Sequence, residues 1–151
     1  MNVSIVMPYY NAAKYIKETV GAIIAQTYTD WELIIVDDCS LAPETVEVLK
    51  AVEAMDDRIR VLRAKVNGAG AARNIAIKEA YGRYLAFCDS DDWWYPTKLE
   101  EQIRFMEENN YPFTCTWYED ADENLEPYYT MKQNEKQTYK SMITGCNIGT
   151  P

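Results

Sequence analysis

Apolar positions along the chain switch repeatedly between short continuous runs and stripes at helical spacing. Val3-Ser4-Ile5-Val6-Met7 reads as a buried strand stopped by Pro8. Tyr15, Ile16, Thr19, Val20, Ile23 and Ile24 then share one side of a helix over about 12–26. A second buried strand follows over 31–36 and is closed by Asp37-Asp38-Cys39-Ser40. Pro43 opens a helix whose inner stripe is Val46, Leu49, Val52 and Met55. A third strand is expected over 59–62. Asn67-Gly68-Ala69-Gly70 then turns into an Ala-rich helix over about 70–80 that Gly82 ends. The fourth strand, over 84–88, runs into Asp89-Ser90-Asp91-Asp92-Trp93-Trp94. Pro96 takes the first position of a helix facing inward through Leu99, Ile103 and Met106. A strand over 113–118 and an acidic turn over 120–124 close a hairpin with 127–131.

Strands and helices alternating at this rhythm predict an α/β fold, a mainly parallel sheet with helices on both faces. Such sheets bind ligands beyond the carboxyl ends of their strands. The polar clusters fall on that edge: Asn11 after the first strand, Asp37 and Asp38 after the second, the 68–73 turn after the third, and 89–92 after the fourth. Four separate loops are expected to converge on one crevice.

Composition narrows the chemistry. The 151 residues suit one domain, and 48% apolar with 26% charged residues suits a folded, soluble surface. Fifteen basic against 24 acidic residues give a net charge of -9, with most of the acidity in the second half. Nucleic acid is excluded as a partner, because phosphate-backbone contacts need clustered Lys and Arg. A nucleotide bound through a cation is not. There is no His, which removes Ser-His-Asp and Cys-His machinery and His metal ligands, so carboxylates and backbone must carry any chemistry. Cys39, Cys88, Cys115 and Cys146 show no CxxC spacing and read as reduced thiols. With no apolar stretch of about 18 residues and no leader pattern, a cytoplasmic location is the default expectation.

Each cluster has two readings. The carboxylates of Asp89, Asp91 and Asp92 at a strand end are oxygen ligands of the kind that suits Mg²⁺ or Mn²⁺, or they form a solvated turn that caps a helix. One of Asp37 and Asp38 accepts from a nucleobase N–H or a ribose hydroxyl, while the other ties down the loop or caps the helix that begins near Pro43. Gly68 to Arg73 is a small-residue turn at a helix N-terminus with Arg73 available to a diphosphate, or Arg73 pairs with an acid. Of Tyr9 and Tyr10, one can stack on a base while the other packs. Trp93 and Trp94 can contact a sugar, with at least one expected in the core.

Together these residues resemble the family 2 glycosyltransferases of the glycosyltransferase-A fold. The matching stretches are VSIVMPYYN at 3–11, QTYTDWELIIVDDCS at 26–40, NGAGAARN at 67–74 and GRYLAFCDSDDWWYPTKLE at 82–100. The resemblance implies a three-layer, Rossmann-like nucleotide-binding domain and transfer of a sugar from a nucleotide-diphosphate sugar, commonly a UDP-sugar, with inversion at the anomeric carbon. Carried over by position, Pro8 and Tyr10 line the base pocket, Asp38 binds the base, Gly68 and Arg73 approach the nucleotide, and Asp89 and Asp91 form the DxD motif. The resemblance implies Asp91 as the direct ligand of Mn²⁺ or Mg²⁺, with Asp89 expected to reach the ribose or a metal-bound water. The implied acceptor is a saccharide or a lipid-linked saccharide, with the parent protein peripheral to the inner face of the membrane in polysaccharide biosynthesis.

The departure lies at the other end. The family's acceptor-side half supplies a carboxylate general base, and here Glu119-Asp120 and Asp122-Glu123 come too early, on the expected hairpin. Residues 1–151 are therefore expected to be one donor-binding domain cut before the acceptor-side region, binding donor with little or no transfer. An open sheet edge would then favour homo-oligomers. The competing reading is a non-catalytic nucleotide-binding or assembly module. Aspartyl phosphatases, which need a DxD after the first strand, and nucleotidylyltransferases, which need a basic Gly-rich loop there, are disfavoured by Pro8-Tyr9-Tyr10-Asn11.

Overall fold

The computed structural model describes residues 1–122 and 125–132. They fall into two compact units, divided after Glu101. The first holds β1 (Val3–Tyr9), α1 (Ile16–Ile24), β2 (Trp31–Asp37), α2 (Thr45–Glu53), β3 (Ile59–Arg63), α3 (Ala69–Glu79) and β4 (Tyr84–Phe87). Helix α4 (Lys98–Asn109) starts in it and ends in the second unit, which also contains β5 (Tyr118–Ala121) and β6 (Pro127–Met131).

The first four strands form one sheet in the order β3-β2-β1-β4, with every pairing parallel. Every residue of β1 and β2 is buried, as continuous apolar runs demand of central parallel strands. Ala72 and Ala76 of α3 pack on the face made by Val6, Ile34 and Val36. Helix α2 covers the other face, where Thr45 lies beside the buried Tyr9, and α1 packs on α2.

Several boundaries differ from the sequence reading, each for a local reason. β1 continues through Pro8 to Tyr9, with Pro8 in register with Val36. The Val6 carbonyl accepts from the Cys88 N–H on the β4 side, so by alternation Pro8 presents its nitrogen to that side, beyond the end of β4, and its missing donor breaks no ladder bond. In α2 the buried positions are Thr45, Leu49 and Val52, one face at i, i+4 and i+7; Val46 lies off that face and Met55 lies beyond the helix's last residue Glu53, and both are exposed. Gly82 does not end α3 by a left-handed turn. It is there because a Cβ would stand 2.5 Å from the Ser4 nitrogen of β1, and its own N–H donates to Ser4 Oγ at 2.7 Å.

In the second unit, residues 113–117 are not a strand; pairing begins at Tyr118, opposite Met131. The antiparallel β5–β6 hairpin is as expected, with an irregularity between Asp120 and Ala121. Glu123, Asn124 and Cys146 lie outside the described residues.

Candidate functional site

Four loops leave the carboxyl ends of β1 to β4, and side chains tie each to the next. After β1, Asn11 adopts a left-handed backbone (φ 51°), and its Oδ1 accepts from the Leu41 and Ala42 N–H groups, both at 3.1 Å. Its own N–H donates to Ser40 Oγ at 3.0 Å. The first and second loops are thereby joined.

Asp37 and Asp38 then divide their work. Asp37 Oδ1 accepts from the Ser40 N–H at 2.9 Å, and Oδ2 lies 3.5 Å from Arg63 Nε. Asp38, 5% exposed, accepts the Gly68 N–H on Oδ1 at 2.6 Å, and its carbonyl accepts from Asn67 Nδ2 at 3.0 Å. The second loop thus holds the third, and Asp38 caps no part of α2. Gly68 sits at φ 142°, a conformation that excludes a side chain, and aims its N–H at Asp38 just where α3 begins.

One turn into α3, Arg73 Nη2 reaches Asp89 Oδ1 at 2.5 Å, joining the third loop to the fourth. Arg73 Nε is buried without an acceptor among the described residues, so the guanidinium has donor capacity beyond this pair. The fourth loop is also fastened to α1. Thr19 Oγ1 donates to the Ser90 carbonyl at 3.2 Å. Gln26 Nε2 donates to the Tyr95 carbonyl at 2.8 Å, and its Oε1 accepts from the Leu99 N–H at 3.0 Å.

Within the acidic turn the three carboxylates are not equivalent. Asp89 is spoken for by Arg73. Asp92 turns back, its Oδ2 accepting from the Asp89 N–H at 3.3 Å while its N–H donates to the Asp89 carbonyl at 3.2 Å. Burial, with the negative charges of Asp89 and Asp91 adding to it, pushes the Asp92 carboxyl up to about 6. Asp91 is exposed and takes no hydrogen bond or ion pair among the described residues. Behind the turn, Lys98 lies 3.6 Å over the Trp94 ring, and burial lowers its ammonium to about 8.

Among the residues expected at the site, Asp38 meets Gly68 and Arg73 meets Asp89. Pro8 is buried in β1, whereas Tyr10 is 51% exposed beside the fully buried Tyr9. Trp94 is buried and Trp93 is not, so one indole is in the core as expected. Among the described residues no three carboxylate or thiol groups cluster as a ready-made metal cage. The sequence reading missed Gln26, which is 3% exposed. Its signal was a polar residue three positions beyond Ile23, in line with the apolar stripe of the helix expected over about 12–26; the helix itself ends at Ile24, two residues before it.

The profile of glycosyl transferase family 2 matches residues 4–150. The Bacillus subtilis protein named "Putative teichuronic acid biosynthesis glycosyltransferase TuaG" is 42% identical over 150 residues, covering 95% of this chain and 59% of TuaG. The Escherichia coli UDP-Glc:alpha-D-GlcNAc-diphosphoundecaprenol beta-1,3-glucosyltransferase WfgD is 41% identical over 149 residues, 97% of this chain and 57% of WfgD. The chain thus spans little more than half of either relative. The crystal structure of S. aureus TarS 1-349 in complex with UDP superposes with a TM-score of 0.66 at 31% identity, covering 73% of this chain and 33% of that one. The parallel sheet and its helices are those of the glycosyltransferase-A fold. Among the described residues no helix is long and apolar enough to cross a membrane.

Proposed function

Because the chain belongs to glycosyl transferase family 2, we propose that it is the donor-binding part of an enzyme that moves a sugar from a nucleotide-diphosphate sugar to an acceptor hydroxyl with inversion. The observation that carries this reading is the row of loops joined by Asn11–Ser40, Asp38–Gly68 and Arg73–Asp89, which lines nucleotide-type groups along one sheet edge. UDP is the favoured nucleotide, since WfgD uses UDP-Glc and TarS was crystallised with UDP.

In this reading Tyr10 stacks on the base, with Pro8 forming the floor beneath it. Asp38 orients the Gly68 turn and offers its second oxygen to the base. Arg73 and the N-terminus of α3 face the diphosphate, where aligned N–H groups favour negative charge. Asp91, exposed and unengaged, fits a direct Mg²⁺ or Mn²⁺ ligand of the sort that uses one or two carboxylates plus substrate phosphates. Asp89 serves from one atom further back, through the ribose or a metal-bound water. When bound, the cation neutralises the charge developing on the departing diphosphate, worth several kcal/mol at the transition state. The acceptor oxygen bonds to the anomeric carbon as the bond to the diphosphate oxygen breaks on the opposite face. The base that takes the hydroxyl proton is not assigned to Glu119, Asp120 or Asp122, so residues 1–151 bind donor with little transfer.

TuaG and WfgD support a saccharide or lipid-linked acceptor in envelope polysaccharide synthesis, and with it a cytoplasmic protein peripheral to the membrane. Calorimetry with UDP and Mn²⁺ tests the reading: binding is expected, lost on chelation and in Asp91→Ala. A wild-type chain that ignores UDP with and without Mn²⁺ would end it. Rapid sugar transfer by the 151 residues would instead overturn only the assignment of the base to other sequence.

A further inference from the structure

Between the acidic turn and α4 the chain exposes two aromatic rings on a backbone that has little freedom. Ser90 is held by Thr19, the Tyr95 carbonyl by Gln26, and the Pro96 carbonyl by the Thr27 N–H at 2.9 Å. Along this pinned stretch the side chains alternate. Trp94 turns in and is 4% exposed under Lys98, whereas Trp93 and Tyr95 turn out and are 42% and 59% exposed. Their rings meet edge to face, with centroids 5.2 Å apart and planes at 81°. Trp31 and Tyr81 elsewhere in the unit are stacked by Arg58 and Arg60; no cation covers Trp93 among the described residues.

The order of the strands says what such a surface would meet. Asp38 and Gly68 stand at the β2–β3 end of the sheet, and Asp91 to Tyr95 follow β4 at the other, with Arg73–Asp89 between. At about 4.8 Å per strand, β2, which Asp38 follows, lies roughly 10 Å from β4, and β3, which leads to Gly68, roughly 14 Å. A nucleotide-diphosphate sugar with its base at Asp38 and its diphosphate at Arg73 and Asp91 carries its sugar toward the β4 loop. Three nearby carboxylates make an anion an unsuitable occupant of the aromatic surface. A pyranose suits it, because its C–H face packs on an aromatic ring while its hydroxyls reach flanking carboxylates.

We propose that Trp93, braced at its edge by Tyr95, is the platform on which a pyranose ring lies next to the reacting bond, and so a specificity-determining residue. This rests on the donor-site reading above. The ring belongs either to the donor or to the acceptor, and both must lie against the anomeric carbon.

The experiment uses the 151-residue chain with Mn²⁺ and three probes: UDP, UDP-glucose, and methyl β-glucoside added to the UDP complex. Trp93→Ala is expected to leave UDP affinity unchanged and to weaken one of the sugar probes about threefold to tenfold, with Trp93→Phe keeping most of it. Loss confined to UDP-glucose assigns the donor ring, and loss confined to the glucoside assigns the acceptor ring. Unchanged affinity for all three overturns the platform. Should the alanine variant not fold, saturation-transfer NMR on the wild type decides: irradiated aromatic protons must pass magnetisation to sugar-ring protons of UDP-glucose or the glucoside, and silence from both overturns it. Failure of the wild type to bind UDP is a separate result that falls on the donor site itself.

Discussion

Arg73 and Asp89, sixteen residues apart, face each other across the candidate site, Nη2 to Oδ1 at 2.5 Å, with 24% and 30% of their side chains exposed. A pair this accessible contributes little to stability, about 0–1 kcal/mol. Its importance is positional, since it keeps one carboxylate of the acidic turn beside a guanidinium and leaves Asp91 open.

Arg73→Ala should therefore unfold within a few degrees of wild type yet bind UDP about tenfold to a hundredfold more weakly, the loss expected for a hydrogen bond between charged groups. Arg73→Lys should recover only part of it, because an ammonium cannot span carboxylate and phosphate as a planar fork does. Thermal melts paired with calorimetry separate the two effects. Equal loss of stability and affinity would make Arg73 merely structural.

Asp38→Ala removes the acceptor of the Gly68 N–H and should cost about 1–3 kcal/mol, because that donor is left without its partner. Asp38→Asn keeps an acceptor oxygen and should retain most of the stability. If Asp38 also reads the base, both variants weaken UDP binding, which urea unfolding and titration of the same samples would reveal.

Gly82→Ala should destabilise by about 1–3 kcal/mol, since the new methyl would press on the backbone of β1 at Ser4. Gly82 lies at the amino ends of the strands, opposite the site. Folded Gly82→Ala protein should accordingly bind UDP normally; reduced affinity without reduced stability would refute this.

Acid unfolding should draw on Glu32 as well as on Asp56, whose carboxyl the Arg58 guanidinium holds down to about 2. Glu32 is 2% exposed, and its carboxylate accepts from Ser4 Oγ at 2.6 Å, the Tyr81 N–H at 2.8 Å and Arg60 Nη2 at 3.0 Å. Burial alone would raise its pKa, but these bonds outweigh burial and lower it. A carboxyl lowered on folding stabilises above its unfolded value of about 4.3, and that contribution disappears as the pH falls through the folded value. Glu32→Gln should thus lose stability at pH 7 and flatten the acid limb of a stability profile. An unchanged limb would show that another group governs it.

The elements were legible because periodicity reports which face of a helix or strand meets the core. Continuous runs announced β1 and β2, and four polar clusters announced four loops at one sheet edge. Misreadings fell where a neighbour decides: Pro8 inside β1 is tolerated only because β4 has ended beside it, and 113–117 alternates without acquiring a strand partner among the described residues.

From sequence alone came the α/β order, the family's motifs and the set of acidic residues at the strand ends. Only the tertiary structure decided what each carboxylate does: Asp37 bonds within its loop, Asp38 grips the Gly68 turn, Asp89 pairs with Arg73, Asp92 folds back, and Asp91 stays open. Sequence could not separate them because a loop side chain has no repeating face. For Asp38 and Asp89 the direction is set by partners thirty and sixteen residues away, which come within hydrogen-bond reach only after the parallel sheet has brought the loops side by side, whereas Asp37 and Asp92 are turned by N–H groups three residues away in their own loops.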